Sequence, residues 1–260
     1  MIKLIVADMD GTLLNDKNEI NEEFWEIHKK LKEKGVIFAV GSGRQYHNLK
    51  KRFFSIKDDM LFIAENGTYV VYHDKELYIN TISKDDIKEI LIIARKIKNC
   101  QVILCGKNSA YTEAKEEKFL VEMRKYYSEL KQVEKLEEVE DDIMKLAFCD
   151  LSGSEENSFN YYKDFDSKFK VVVSGKLWLD IMKADANKGT AVEMVQKKLG
   201  ISYEETMVFG DYLNDLEMMS TGKYSFAMAN AHEILKKNSN YIAQSNNDNG
   251  VVKAIKKYVL

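Results

Sequence analysis

The sequence has no proline, and it has only three cysteines among its 260 residues. Because proline is missing, linkers and rigid turns carry none of their usual markers, and domain boundaries must come from the hydrophobic pattern. Cys100, Cys105 and Cys149 are odd in number, and their spacing matches neither a CxxC redox pair nor a zinc site. We therefore predict buried free thiols.

The sequence also lacks a strong excess of charge and any long apolar run. Its 39 Lys and Arg residues nearly balance 42 Asp and Glu residues, which gives a net charge of -3 and no electrostatic case for binding nucleic acid or an anionic membrane. No apolar stretch approaches the ~20 residues that span a bilayer, and the first apolar run already ends at Asp8. We expect a cytoplasmic protein without a nucleic-acid or membrane partner.

Short apolar runs alternate with helical patterns in both terminal parts of the chain, as in a doubly wound parallel α/β sheet with helices on both faces. The predicted strands are Lys3–Ala7, Val36–Val40, Leu61–Ala64, Met207–Phe209, Tyr224–Met228 and Tyr241–Ala243. The predicted helices are Asn21–Lys34, Tyr46–Phe53, Thr190–Leu199, Leu213–Met219 and Ala231–Lys237.

The order of elements changes in the middle of the chain, which favours an α+β domain inserted into the α/β domain. We therefore predict residues 1–82 and 184–260 as the core and residues 83–183 as the insertion. Mostly antiparallel strands with helices on one face suit this order. The insertion is predicted to end in a hairpin that turns at Ser174 and Gly175.

Two carboxylates follow the first predicted strand, in the sequence Asp8-Met9-Asp10-Gly11-Thr12. Residues two apart on a strand point the same way, so Asp8 and Asp10 aim at one spot if the strand continues. Such a pair persists when a cation lies between the two groups or when one holds a proton. The alternative is an ordinary polar turn after a strand.

Ligands of open parallel sheets bind at the carboxyl ends of the strands, where further polar groups follow. Gly41-Ser42-Gly43-Arg44 offers a hydroxyl and backbone N–H groups suited to an anion. Glu65-Asn66-Gly67 is more typical of a hairpin turn. Lys188 falls at a helix start, where the helix dipole disfavours a cation; either a neighbouring anion or exposure to solvent would account for it.

A second acidic motif, Gly210-Asp211-Tyr212-Leu213-Asn214-Asp215, follows a predicted strand and enters a helix. Asp211, Asn214 and Asp215 have the spacing of one helix face. Simple capping of the helix by Asp211 is the alternative, although capping requires only one of the three oxygen-bearing side chains.

Together these motifs resemble the haloacid dehalogenase (HAD) superfamily, with DxDGT at Asp8–Thr12, a hydroxyl residue at Ser42, a lysine at Lys188 and GDxxND at Gly210–Asp215. The resemblance spans the chain, and Ser42 departs from it by replacing the commoner threonine. It implies a Rossmann-like core with a C2B-type cap, as in the Cof-like subfamily.

The resemblance also implies a phosphatase that acts on a small phosphorylated metabolite. Asp8 would be the nucleophile and Asp10 the general acid and base. Mg²⁺ would be held by Asp8, the Asp10 carbonyl and Asp211, with Asp215 either as a further ligand or as a residue that contacts the ligands. The phosphoryl group would be bound by Ser42, Gly43, Arg44, Lys188 and Asn214, and Asp180 in the cap would be a substrate contact unless it is a solvent-facing strand residue.

Two other functions stay open at this point. A phosphosugar mutase would pass the phosphoryl group to a second hydroxyl. A non-catalytic protein that binds a phosphorylated metabolite is the other possibility, although the intact Asp8, Asp10, Lys188 and Asp211 argue against it. Turnover of p-nitrophenyl phosphate separates the non-catalytic protein from an enzyme.

Overall fold

A computed structural model describes residues 1–127 and 129–260 of the chain. The chain divides into two compact units, which we call the core unit (Met1–Ile79 with Asn187–Leu260) and the inserted unit (Asn80–Ala186). The predicted insertion, residues 83–183, falls within the second of these.

The strands and helices of the described residues are as follows. The strands are β1 (Leu4–Asp8), β2 (Ile37–Gly41), β3 (Leu61–Ala64), β4 (Tyr69–Tyr72), β5 (Lys75–Ile79), β6 (Cys100–Gly106), β7 (Ala110–Thr112), β8 (Leu130–Gln132), β9 (Ile143–Asp150), β10 (Phe169–Gly175), β11 (Trp178–Lys183), β12 (Thr206–Gly210), β13 (Tyr224–Met228) and β14 (Tyr241–Ala243). The helices are α1 (Glu23–Glu33), α2 (Tyr46–Arg52), α3 (Lys84–Ala94), α4 (Glu117–Arg124), α5 (Ser158–Tyr162), α6 (Lys188–Leu199), α7 (Leu216–Met219), α8 (Glu233–Lys237) and α9 (Gly250–Tyr258).

The core unit contains an eight-stranded sheet in the order β14-β13-β12-β1-β2-β3-β4-β5. The pairings from β14 to β3 are parallel, and β4 and β5 add an antiparallel edge. Strands buried on both faces consist of continuous apolar runs, which is why the Leu4–Ala7 run forms the fully buried β1. The predicted α/β core is confirmed.

Helix α6, which carries Lys188, begins and ends with clear local signals. The Asn187 side chain accepts a hydrogen bond of 2.8 Å from the Thr190 N–H, as expected of an N-cap. Gly200 ends the helix in the left-handed conformation with φ +65°, which glycine adopts without a steric penalty. These signals fix Lys188 in the first turn.

The inserted unit contains a six-stranded sheet in the order β10-β11-β9-β6-β7-β8. Its pairings are antiparallel except that β7 and β8 run parallel. The hairpin between β10 and β11 turns at Lys176 and Leu177, so the predicted turn at Ser174 and Gly175 is wrong: both residues lie within β10.

Helices cover both faces of the sheet in the inserted unit. Ile90 of α3 and Tyr162 of α5 belong to the apolar cluster on one face, whereas Phe119 of α4 packs in a cluster with Trp178 on the other. The expectation of helices on one face is therefore wrong. The strands provide apolar side chains to both faces, and each face needs a cover.

The remaining composition-based predictions concern the thiols and the membrane. Cys105 and Cys149 are buried free thiols and Cys100 is a half-buried one; burial raises the pKa of Cys149 to about 12. Among residues 1–127 and 129–260, no helix combines the length and the apolar character that a bilayer crossing requires.

Candidate active site

The predicted site residues of the core unit meet at the carboxyl ends of adjacent strands β12, β1 and β2. All of them except the fully buried Lys188 and Asp215 line a cavity of about 400 Å³. Its charged lining residues are Asp8, Asp10, Arg44 and Asp211, and its uncharged ones are Ser42, Gly43, Asn66, Tyr212 and Asn214.

Three carboxylates form a cluster at this strand edge. One oxygen from each of Asp8, Asp211 and Asp215 lies within 4.8 Å of the other two. Carboxylate oxygens are the ligands that hard divalent cations prefer, and three negative charges this close repel one another unless cations balance them. The chemistry of the cluster therefore fits a divalent metal ion.

Lys188 supplies one positive charge to the cluster. Its side chain is completely buried, and its Nζ donates hydrogen bonds to Asp8 Oδ1 and, at 2.7 Å, to Asp215 Oδ1. The alternative of a solvent-exposed lysine is wrong. Two carboxylates supply the neighbouring negative charge that a cation in the first turn of α6 requires.

Burial and mutual repulsion perturb the ionisation of these groups. Burial raises the pKa of Asp8 well above its ordinary value; the Lys188 charge opposes this shift, and Asp215 adds to it. Burial likewise raises the pKa of Asp211. Burial disfavours the Lys188 ammonium, but Asp215 and Asp8 outweigh that effect and the pKa of Lys188 is raised. The raised pKa values of Asp8 and Asp211 thus reflect the cost of placing negative charges together in a buried site.

Asp215 fixes both Lys188 and the loop after β12. Its Oδ1 accepts from Lys188, while its Oδ2 accepts from the backbone N–H groups of Asp211 at 3.0 Å and Tyr212 at 3.3 Å. Since a carboxylate oxygen has about two acceptor sites, Oδ2 is fully used and Oδ1 keeps one site. Asp215, rather than Asp211, thus holds the loop backbone at the helix entrance.

The turn after β1 holds Asp211 in place. The Thr12 hydroxyl donates a 2.9 Å hydrogen bond to Asp211 Oδ1. Gly11 has φ +78°, and a Cβ atom there would lie 2.3 Å from Asp211 Oδ2. Thr12 belongs to the DxDGT motif, but its contact with Asp211 is not predictable from the motif because 199 positions separate the two residues.

Asp10 lies in the same cavity but outside the carboxylate cluster. Arg44 donates to both of its oxygens, with Nε at 3.1 Å and Nη2 at 2.5 Å. The same Nη2 is 3.3 Å from Asn18 Oδ1. If another group is to bind at an Asp10 lone pair that now accepts from Arg44, that hydrogen bond must first break.

The β2 loop and the β3–β4 turn complete the cavity. Ser42 Oγ accepts from the Arg44 N–H at 3.2 Å, and Asn214 Nδ2 is 3.4 Å from Asn66 Oδ1. The hairpin turn predicted at residues 65–67 is confirmed, because β3 and β4 pair antiparallel. Asn66 and Tyr212 were not predicted as cavity residues, although both follow strands of this sheet.

Asp180 lies on β11 of the inserted unit. Its Oδ2 is 3.3 Å from Lys145 Nζ, and both side chains are about nine-tenths buried. The alternative of a solvent-facing strand residue is therefore wrong, whereas a role in substrate contact stays a prediction.

Comparison with known proteins identifies the family. Residues 5–255 match the haloacid dehalogenase-like hydrolase family. The chain belongs to this family. It is 35% identical to 5-amino-6-(5-phospho-D-ribitylamino)uracil phosphatase YbjI of Escherichia coli (strain K12), over 98% of this chain and 96% of that protein. It is 27% identical to the Bacillus subtilis (strain 168) phosphatase YcsE, which is named for the same activity, over 100% and 96%.

Solved structures agree with this assignment. A crystal structure from Eubacterium rectale superposes with a TM-score of 0.91 at 27% identity, covering 99% of each chain. The structure of TM0651 from Thermotoga maritima superposes with a TM-score of 0.85 at 28% identity, covering 100% of this chain and 98% of that one. This member of the hydrolase family is thus a phosphatase with a Rossmann-like core.

Proposed function

We propose that the protein is a magnesium-dependent phosphatase that hydrolyses a small phosphomonoester, a sugar phosphate or similar metabolite, through an aspartyl-phosphate on Asp8. The observation that carries this proposal is the cluster of buried Asp8 and Asp215 with half-buried Asp211 beside a polar cavity, in which Lys188 bonds to Asp8 and Asp215. The ligand atoms of this cluster are all carboxylate oxygens, and Mg²⁺ prefers oxygen ligands.

Four groups are proposed to hold the metal ion. They are the carboxylates of Asp8 and Asp211, the backbone carbonyl of Asp10, and the remaining acceptor site of Asp215. Bound Mg²⁺ supplies positive charge to phosphoryl oxygens that become more negative in the transition state. The Thr12 hydrogen bond keeps the Asp211 carboxylate aimed at this position.

The first proposed step is transfer of the phosphoryl group to Asp8. An Asp8 carboxylate oxygen attacks phosphorus, and the bond between phosphorus and the leaving oxygen breaks. Asp10 donates its proton to that leaving oxygen, so the alcohol departs neutral. Arg44 donates one hydrogen bond to each Asp10 oxygen, which leaves a second site on each oxygen for the proton that is transferred.

The second proposed step is hydrolysis of the aspartyl-phosphate. Asp10, now ionised, takes a proton from a water molecule whose oxygen attacks phosphorus. The bond to Asp8 breaks, which releases inorganic phosphate and restores the Asp8 carboxylate and the protonated Asp10. One residue thus acts as acid and then as base.

The transferring phosphoryl oxygens are proposed to bind a set of donors on three loops. Lys188 contributes an ammonium group and reaches Asp8 directly. Preorganised donors of this kind stabilise the developing negative charge of the transition state. The other proposed donors are the Ser42 hydroxyl, the Asn214 amide and the N–H groups of Gly43 and Arg44.

The inserted unit is proposed to act as a cap domain that selects the substrate, with Asp180 as a candidate contact. The two relatives described above are named for a phosphate ester of a ribityl-substituted uracil. We propose that ester as the first compound of a phosphometabolite panel, together with sugar phosphates, nucleotides, flavin mononucleotide and pyridoxal phosphate.

Removal of the metal ion tests the proposal. Hydrolysis of p-nitrophenyl phosphate should vanish in excess EDTA and return when MgCl₂ exceeds the chelator. Asp211→Asn should require a higher magnesium concentration for half-maximal activity, since it removes one anionic ligand. Full activity after exhaustive chelation would contradict the proposal.

A further inference from the structure

Tyr212 differs chemically from the rest of the cavity lining. The other eight lining residues are acidic, basic, hydroxyl, amide or glycine residues, and Tyr212 alone among the described lining residues is aromatic. Tyr212 is 59% exposed, so the residue is accessible to a ligand in the cavity. The residue directly follows Asp211 of the carboxylate cluster and lines the same cavity as Asp8.

His232 supports the Tyr212 ring from one side. The two rings meet edge to face, with 5.7 Å between centroids and an interplanar angle of 86°. Two hydrogen bonds hold His232. Its backbone N–H donates to the Asp211 carbonyl at 2.8 Å, and its ring Nδ1 accepts from the Ile234 backbone N–H at 3.1 Å. Edge-to-face pairs are a favoured aromatic geometry, so His232 restricts the orientation of Tyr212.

We infer that Tyr212 is a specificity-determining residue, which stacks on a planar aromatic or heteroaromatic ring in the leaving alcohol of the substrate. This inference rests on the proposed phosphatase function and narrows its substrate class. A polar cavity offers little to an apolar ring, whereas the exposed face of Tyr212 offers stacking, which favours aromatic partners beyond the effect of buried area alone.

Exposed tyrosines are common on protein surfaces, so a second exposed tyrosine outside the cavity serves as a control for Tyr212. Tyr203 of the core unit is 44% exposed but does not line the cavity. Tyr203→Leu removes the same ring as Tyr212→Leu at a position outside the cavity lining. Comparison of the two variants separates a role in the site from a general effect of losing a tyrosine.

The experiment compares two matched series of phosphate esters: phenylalkyl and cyclohexylalkyl phosphates with one, two or three methylene groups. Within each pair the alcohols are unactivated and similar in size, and only the planarity of the ring differs. For each chain length we take the ratio of kcat/KM for the phenyl ester to kcat/KM for the cyclohexyl ester. We expect this ratio to exceed about three in the wild-type enzyme for at least one chain length. A single aromatic stacking contact corresponds to a change of about threefold to tenfold in this ratio.

Variants of three residues test whether the preference for the phenyl ester depends on Tyr212. Tyr212→Leu should bring the ratio close to one, because leucine keeps an apolar side chain but lacks a ring. Tyr212→Phe should keep the wild-type ratio. His232→Asn retains a residue suited to the helix N-cap but removes the supporting ring, and it should lower the ratio partially. Tyr203→Leu should leave the ratio at the wild-type value.

The outcomes separate this inference from the proposed function. Hydrolysis of both series with a wild-type ratio near one at every chain length would overturn the role of Tyr212 and leave the phosphatase function intact. Loss of the ratio in Tyr212→Phe would also overturn stacking, because it would assign the preference to the hydroxyl group. Failure of the wild-type enzyme to hydrolyse any ester in the presence of Mg²⁺ would contradict the proposed function and the inference with it.

Discussion

At the scale of single residues, Lys188 is the cation that pairs with two carboxylates of the acidic cluster. A buried ammonium is tolerated only when paired, and Lys188 meets Asp8 and Asp215 while fully buried. Its removal would leave two buried carboxylates without their cation. The same residue therefore contributes to both the stability and the proposed chemistry of the core unit.

Lys188→Met should destabilise the protein and abolish most activity. Leaving buried charges unpaired costs about 3–5 kcal/mol, which urea denaturation at pH 7 in the presence of EDTA would measure. Lys197→Met on the same helix is the control, because Lys197 is exposed and surface substitutions usually change the free energy of unfolding by less than about 0.5 kcal/mol. Equal effects of the two substitutions would contradict the assigned role of Lys188.

Some residues of the cavity are predictable from the sequence and others are not, for a physical reason. Asp8, Lys188 and Asp211 stand in motifs at strand or helix ends, where the topology of a parallel sheet concentrates ligands. The pairing of Arg44 with Asp10 depends on side-chain conformations across 34 positions of sequence, which no local pattern encodes. The sequence around Asn66 indicates only a turn, and its place in the cavity follows from the adjacency of β3 and β2.

At the scale of elements, the turn after β1 couples the first acidic motif to the second. Gly11 adopts φ +78° and leaves no room for a Cβ atom beside Asp211, whereas Gly35 adopts φ +70° and a Cβ atom there would meet nothing within 4 Å. Alanine costs roughly 1–2 kcal/mol in left-handed backbone at either position. Only at Gly11 does the added methyl group also displace a carboxylate.

Gly11→Ala should therefore lower metal affinity and activity, while Gly35→Ala should lower stability alone. The magnesium concentration for half-maximal hydrolysis of p-nitrophenyl phosphate is the readout, with thermal unfolding as the measure of stability. We expect this concentration to rise substantially in Gly11→Ala and to stay at the wild-type value in Gly35→Ala. An unchanged magnesium requirement in Gly11→Ala would show that the turn does not position Asp211.

Several short strands of the core unit are the most predictable elements. Leu61–Ala64, Tyr224–Met228 and Tyr241–Ala243 have the predicted bounds, because each is short and mostly apolar. Strand β8 is absent from the predicted strands: its residues are half-buried or exposed, so it has no apolar pattern. The predicted hairpin turn of the inserted unit is misplaced because β10 still pairs with β11 at Gly175, opposite Trp178, after a register shift at Ser174.

At the scale of the whole molecule, the chain leaves the core unit after β5 and returns at α6. These two elements pack against each other, so both connections lie in one region of the core unit. All the residues that line the cavity belong to the core unit. This arrangement is consistent with a core that carries the chemistry and the ring preference of Tyr212, and with an inserted unit that selects among larger substrates.

Replacement of residues 80–186 by a short Gly-Ser linker should preserve hydrolysis of small esters and remove selectivity among large ones. The measurement is kcat/KM for p-nitrophenyl phosphate and for the phosphometabolite panel, after circular dichroism has shown that the shortened protein is folded. If the shortened protein ranked the panel as the full chain does, the inserted unit would not be the selecting domain.

In the proposed mechanism, Asp8 carries the phosphoryl group and Asp10 moves the proton. Asp10→Asn keeps the nucleophile but loses the acid and base, which typically lowers the rate by about 10² to 10⁴. With p-nitrophenyl phosphate, whose leaving group needs little protonation, Asp10→Asn should still be phosphorylated and then hydrolyse slowly. Asp8→Asn removes the nucleophile and should form no phosphoenzyme.

The most direct test of this mechanism is to trap the phosphoenzyme in acid and to map it by peptide mass spectrometry. We predict that a hydroxylamine-sensitive phosphate accumulates on Asp8 in Asp10→Asn, and that none forms in Asp8→Asn or in the double variant. Wild-type turnover by Asp8→Asn, or phosphate found on Ser42 instead of Asp8, would contradict the mechanism.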